Sequence, residues 1–241
     1  MTVVERGARP AVEASPVGAT VDRIVDALQD RISEGDLTLG TWIRQERIAA
    51  EFGVSRMPVR EALRRLEALG IVELVPNRGA RVTMPSVTDI LDAFEVRSVL
   101  EGHAAFRAAR DATREMIDRL RSTEPIFEEA AARAGEGDVE ASRQLWYRAN
   151  ALFHATVIEA AGSSQLAESV DALHHRIPRG LTWSALQGDP RLLMQNAETH
   201  RRITEAIDAG DGEEARRRVA EHGTRASELV VRYSAEFRAL A

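Results

Sequence analysis

Between Trp42 and Thr83 the spacing of apolar residues changes character, and few folds accommodate that order. Ile48, Ala49 and Phe52 recur at helical spacing in a short stretch from Gln45 to Phe52, Gly53 stops it, and Val54 fills the turn. Ser55 reads as the N-cap of a second helix, because its hydroxyl can accept from a free backbone N–H. Pro58 falls at the third helical position, where its missing N–H costs nothing. Val59, Ala62, Leu63 and Leu66 form an inward stripe, with Arg56, Arg60 and Arg64 on another face. Cations this close to a helix start oppose the macrodipole, a local cost that a phosphate or base partner would explain. Residues 71–75 then read as a strand, Pro76-Asn77-Arg78-Gly79 as a turn and residues 80–83 as a returning strand. This order describes a helix-turn-helix with a small β-wing, a device for reading duplex DNA. The bland alternative is a helical hairpin with a solvated arginine face, and the hairpin tipped by Arg78 and Gly79 weighs against it.

The net charge of −6 becomes compatible with DNA once it is divided along the chain. Residues 20–85 hold ten arginines and ten acids and residues 1–19 two of each, so residues 86–241 carry the whole excess. A neutral module with its arginines on one face can still bind phosphate, with an affinity that falls steeply with salt. A chain of 241 residues suits one or two domains, and 44% hydrophobic residues can fill a sizeable core. The lack of cysteine excludes disulfides and thiolate metal sites and is compatible with a reducing cytosol. No apolar run approaches the roughly 18 residues of a membrane span, and the first residues lack a signal-peptide pattern. The expectation is a cytoplasmic protein with no membrane partner.

Residues 1–19, with two prolines and two glycines, read as a disordered or loosely ordered arm. Residues 20–85 form the expected DNA-binding domain, opening with an amphipathic helix from Thr20 to Gly35 whose Val21, Ile24, Val25, Leu28 and Ile32 pack under the helix-turn-helix. Met84-Pro85-Ser86 is a linker, and Ser86 or Thr88 can cap the next helix. Residues 86–241 are helical in pattern, with helices expected near 88–110, 113–134, 138–161, 164–177, 190–209 and 212–238 and no further strand. The fold class is therefore mainly α: a winged helix-turn-helix followed by an all-α antiparallel bundle of about six helices.

That bundle holds a second constellation. Asn150 and His154, four apart, share a helix face with Tyr147, Ala151, Val157, Ile158 and Ala161. His200 lies in line with Leu193, Ala197, Ile203 and Ile207, and His222 with Ala215, Val219, Ala226, Leu229 and Tyr233. Three helices thus each direct a histidine inward, and one adds an amide oxygen, which is a donor set suited to zinc, nickel and related ions. A single histidine on an apolar face is more often a core residue satisfied by a carbonyl, and spacing alone leaves open whether the helices converge. His103, His174 and His175 read as structural or exposed.

GVSRMPVREALRRLEALGIVE followed by PNRGARV resembles the winged-helix signature of GntR-family bacterial transcription regulators, over roughly Thr20 to Pro85. The resemblance implies that Arg56 and Arg60 contact the operator, Ser55 the DNA backbone, and Arg78-Gly79 the duplex from the wing tip. The resemblance also implies a contact from the helix before, and because Ile43-Arg44-Gln45-Glu46-Arg47 stands where the family usually shows leucine-x-glutamate, either Arg44 or Arg47 is the candidate for it. DAFEVRSVLEGHAA (92–105), NALFHATVIEAAG (150–162) and ETHRRITEAIDAGDGEEARRRVAEH (198–222) are similar to the FCD domain, the effector-binding domain of the FadR branch, here in its six-helix VanR-like form. That implies a divalent metal ion, zinc first with nickel or manganese as alternatives, on Asn150, His154, His200 and His222. A small carboxylate effector is then expected at that site, with Arg97 the best candidate to grip it and Tyr147 a weaker one, although Arg97 is equally suited to pairing with Glu101 on its own helix. The expected regulator is a homodimer on pseudo-palindromic double-stranded DNA, a repressor released by its effector. A metal-dependent hydrolase is the alternative, against which stand the lack of HExxH and of a glutamate beside a ligand; a metal used only as a staple is another. No residue is expected to be catalytic.

Overall fold

A computed structural model describes residues 16–33, 35–76, 78–83, 85–176 and 180–240. Most of the expected arm, the turn residue Asn77, the linker residue Met84 and the side chains of His174 and His175 lie outside the described residues. The N-terminal unit runs α1 (Pro16–Ser33), β1 (Trp42–Ile43), α2 (Gln45–Phe52), α3 (Arg56–Ala68), β2 (Val72–Val75) and β3 (Gly79–Val82). Val21, Ile24, Leu28 and Ile32 of α1 bury against Ile48 and Ala49 of α2 and against Val59, Ala62, Leu63 and Leu66 of α3. At about 25 cal/mol per Å² of apolar surface, this seam is what orients the recognition helix. Gly53 ends α2 at φ +64°, a conformation that costs glycine little, and its N–H returns to Ala49 and Ala50.

The differences from expectation are local. Helix α1 begins at Pro16, so the arm gives up its last residues to it. Ser55 stands extended before α3, but its hydroxyl makes no capping bond and the residue is exposed. The sheet has three antiparallel strands in the order β1-β3-β2, with Trp42 opposite Arg81 and Glu73 opposite Arg81 on the other side. The strand at Trp42–Ile43 was not expected, since two residues carry no period.

The C-terminal unit consists of α4 (Val87–Asp111), α5 (Arg114–Ser122), α6 (Glu124–Gly135), α7 (Val139–Ala160), α8 (Ser164–Arg176), α9 (Gly180–Leu186), α10 (Pro190–Asp208) and α11 (Gly212–Leu240). Ser86, not Thr88, caps α4 and shares a capping box with Asp89. Eight helices among the described residues replace the expected six for two reasons. The stretch 113–134 breaks at the buried Thr123, because Pro125 has no N–H to continue the ladder of α5. Helix α9 is seven residues long, with Leu181, Trp183, Ala185 and Leu186 buried.

Helix α11 packs along α4, where a Cβ on Gly223 would stand 1.9 Å from Ser98 Oγ, so a larger residue would have to displace the Ser98 side chain next to His222. The two units also touch. Leu39, ahead of β1, packs on the cluster of Ile90, Phe94, Leu181, Ala185, Ala226 and Val230. Gly180 meets Gly35 and the Ile32 carbonyl nearby.

Candidate nucleic-acid interface and candidate metal centre

Opposite its buried stripe, α3 exposes Arg56, Met57, Arg60, Glu61 and Arg64. Arg56 sits 2.8 Å from Glu46 of α2, with both side chains nearly two-thirds exposed. Such a pair is worth about 0–1 kcal/mol, so it yields readily to a phosphate or a base edge. The Arg60 guanidinium donates to the Met57 sulfur at 3.0 Å. At the wing, the Arg78 guanidinium lies 6.0 Å over the Trp42 ring. Gly79 has φ +105°, and a Cβ there would stand 2.5 Å from the Ile43 carbonyl. The turn that presents Arg78 therefore requires glycine. Arg44 and Arg47 are both exposed at the start of α2, and the Arg44 backbone lies beside Gly79 of the wing turn.

In the bundle, α7, α10 and α11 do converge: one ligand nitrogen each from His154, His200 and His222 lies within 4.8 Å of the others. His200 and His222 are buried and His154 is 14% exposed. Asn150, one turn before His154, lines the same small cavity with Arg97, Glu101, Trp146 and Asn196. Phe127 stacks on the His200 ring with centroids 4.4 Å apart, and Phe153 meets it edge-on at 4.6 Å.

The hydrogen bonds fix how these rings present themselves. His200 Nδ1 donates to the Asn196 carbonyl at 2.8 Å, and its Nε2 is buried with no hydrogen-bond partner. An orphaned buried acceptor costs about 1–3 kcal/mol unless something takes its lone pair. Thr199 Oγ1 gives its one proton to the Asn196 carbonyl at 2.7 Å, so it can only accept in its 3.2 Å contact with His222. His222 Nδ1 is then the donor, and its Nε2 also keeps a lone pair. Burial pushes the His200 imidazole down to about 4, against smaller upward pulls from the Asn196 hydrogen bond and Glu101. Burial, followed by the neighbouring His200 and His154, pushes His222 well below the usual range. Both are neutral near pH 7, the form that metal ligation requires. Two lone pairs held by tautomers anchored on the Asn196 carbonyl and the Thr199 hydroxyl, with a third imidazole and the Asn150 amide lining the same cavity, fit a divalent ion.

The fold places the other candidates more unevenly. Arg97 lines the cavity and lies 3.7 Å from Glu101, so the helical pair and the cavity position coexist. Glu101 itself was not singled out as part of the site. It is 5% exposed and its carboxylate stands 3.7 Å from His154 Nδ1. Its spacing with Phe94, Ala105 and Ala108 carried the signal that it faces inward. Tyr147 lies two turns below His154, beside Gly35, Gly180 and the Arg143 guanidinium, and not at the histidines. Its neighbour Trp146 lines the cavity instead and donates to Asn196 Oδ1 at 2.9 Å. His103 is exposed.

A winged helix-turn-helix fused to a helical bundle with an internal polar centre defines a class, the DNA-binding transcription regulators. The chain belongs to the GntR family, its residues 20–82 matching the bacterial regulatory proteins of that name and residues 92–225 the FCD domain. It is 34% identical over 200 residues to a probable D-xylose utilization operon transcriptional repressor of Paenarthrobacter nicotinovorans, covering 83% of this chain and 84% of that one. It is 27% identical over 224 residues to the HTH-type transcriptional regulator LutR of Bacillus subtilis (strain 168), covering 85% and 98%. The fold is shared with E. coli McbR/YncC at a TM-score of 0.69 and 21% identity, over 88% of this chain and 96% of that one. These relatives are transcription regulators and not enzymes.

Proposed function

We propose that this regulator is a homodimeric repressor that leaves its double-stranded, pseudo-palindromic operator when a small carboxylate binds beside a metal ion in the bundle. The observation that carries the reading is His200 Nε2, a buried lone pair without a partner, facing two further histidines. Asn150, His154, His200 and His222 would hold the ion, zinc first with nickel or manganese as alternatives, and it would supply a coordination position for an anion. Arg97, reaching the same cavity, grips the effector carboxylate by exchanging Glu101 for it. A further space of about 130 Å³ adjoins through Thr182, Asn196 and His222, which suits a small effector. On the DNA side, Arg56 and Arg60 enter the major groove, Ser55 and one of Arg44 and Arg47 hold the backbone, and Arg78-Gly79 touches the duplex outside.

Dimerisation is supported by the exposed Leu91, Val96 and Val99 on α4, apolar side chains that a second copy would cover. No helix among the described residues is long and apolar enough to cross a membrane. A protein that acts on bacterial operator DNA works in the cytoplasm.

Elemental analysis of protein purified without a metal-affinity tag, paired with a thermal-shift screen of small carboxylates, tests the reading. We expect about one divalent ion per subunit and a carboxylate that raises the melting temperature by roughly 5–10 °C at a hundred times its Kd. That ligand should also weaken operator binding, and Arg97→Ala should lose its effect while keeping the metal. A metal-loaded protein indifferent to every carboxylate would reduce the ion to a staple. Thr199→Val should lower metal affinity about ten- to a hundredfold by freeing the His222 tautomer, and Thr199→Ser should restore it. Equal affinities in all three proteins would refute that role.

A further inference from the structure

Viewed down α3 at about 100° per residue, the buried stripe of Val59, Ala62, Leu63 and Leu66 has its centre opposite Met57. Arg64 and Glu61 flank Met57 on that outer face, with Arg60 and Arg56 further round. Met57 is also in the first turn, and helix-turn-helix proteins direct that end of the recognition helix at base edges. In the docking that helix-turn-helix proteins use, that position directs Met57 toward the floor of the major groove. Yet it is an apolar residue left 64% exposed, outside the apolar cluster of the N-terminal unit.

A thioether has no donor and only a weak acceptor, so Met57 can neither clamp a phosphate nor form the paired hydrogen bonds that identify guanine or adenine. The major groove presents one apolar group, the C5-methyl of thymine. The Arg60 guanidinium donates to the Met57 sulfur at 3.0 Å, which ties the two side chains together and aims them at neighbouring positions. We infer that Met57 determines operator specificity by packing on the methyl group of a thymine next to the position read by Arg60. This rests on the DNA-reading role proposed for α3.

The test begins with the full-length chain and a random-sequence duplex pool, from which a binding motif is selected. Each thymine of the selected half-sites is then replaced by deoxyuridine, which removes the methyl and preserves base pairing. One thymine per half-site should be methyl-sensitive, at about fivefold in affinity each and about twenty-fivefold for the symmetric double replacement. Met57→Ala should bind the thymine duplex about that much more weakly and bind thymine and uracil duplexes equally. Met57→Leu, still apolar, should keep the methyl sensitivity. Parent protein indifferent to uracil at every position would overturn the inference, as would an unchanged uracil penalty in Met57→Ala. Failure to enrich any motif would instead remove the DNA-reading role of α3, and this inference with it. Because enrichment is scored before any variant is made, the two failures are separable.

Discussion

Replacing His200 by leucine is expected to abolish stoichiometric metal binding while leaving the metal-free protein at least as stable as its parent. The two effects have one cause. His200 sits between Phe127 and Phe153 with Nδ1 anchored on the Asn196 carbonyl and Nε2 buried without a partner. A leucine gives up the Asn196 hydrogen bond, worth about 0.5–1.5 kcal/mol net, but it also removes the orphaned nitrogen, which costs about 1–3 kcal/mol. Loss of one of three imidazoles should lower metal affinity by more than the ten- to hundredfold typical of an outer-shell change. The pH dependence supplies an independent readout. The folded chain refuses a proton at His200 until about pH 4, whereas the unfolded chain takes it near 6.5. Stability of the metal-free parent is thus full above pH 6.5 and falls as pH drops toward 4, with His200 accounting for about 3 kcal/mol of the loss. His222 is shifted the same way and steepens the fall. Melting curves of chelator-treated proteins between pH 7 and 4.5 should therefore show a shallower decline for His200→Leu. A variant that still carries one ion per subunit, or that melts far below the parent at pH 7, would contradict this account of the site.

Parts of this centre were legible in the sequence and parts were not, for physical reasons. The inward faces of α7, α10 and α11 follow from helical spacing alone, because Asn150, His154, His200 and His222 each share a stripe with apolar residues. Their convergence does not, since it depends on how three separate helices cross. The tautomers lie deeper still. That of His200 is set within α10 by the Asn196 carbonyl one turn back, and that of His222 by the Thr199 hydroxyl, whose acceptor role exists only after α10 and α11 are side by side. In the N-terminal unit the stripe of α3 and the stop at Gly53 were plain, because local spacing and a single glycine set them. Strand β1 was invisible because pairing with β3 creates it. Helix α9 was missed because its seven residues are too few for a period to show. Thr123 hid a helix break because the apolar spacing continues across it, and only Pro125 betrays that the backbone cannot.

Arg56→Ala is expected to weaken the operator affinity of the proposed homodimer by about thirtyfold to twenty-five-thousandfold, since a bidentate base contact is worth about 1–3 kcal/mol and two such contacts would be lost. Arg56 is the first residue of α3, where the helix dipole disfavours a cation, and in the free protein Glu46 offsets that at 2.8 Å. Binding must exchange Glu46 for the duplex. The exposed pair is worth little, so the exchange costs little, and almost all of a contact to DNA appears as affinity. Glu46→Gln provides the converse: it removes both the competitor for Arg56 and a negative charge facing phosphate, and should strengthen binding to any duplex a few-fold. Base and backbone contacts leave different signatures in Arg56→Ala. A lost base contact relaxes sequence preference at one position per half-site, with the salt dependence nearly unchanged. A lost phosphate contact weakens all duplexes alike and lowers the salt slope by about one per subunit. Filter binding or fluorescence anisotropy on the selected operator and on scrambled duplex, at two salt concentrations, separates these outcomes. The side chain is 65% exposed, so the melting temperature should stay within a degree or two of the parent. A variant of unchanged stability that still held the operator with full affinity would remove Arg56 from the interface. The reading of DNA would then fall to Arg60 and Met57 on the same face.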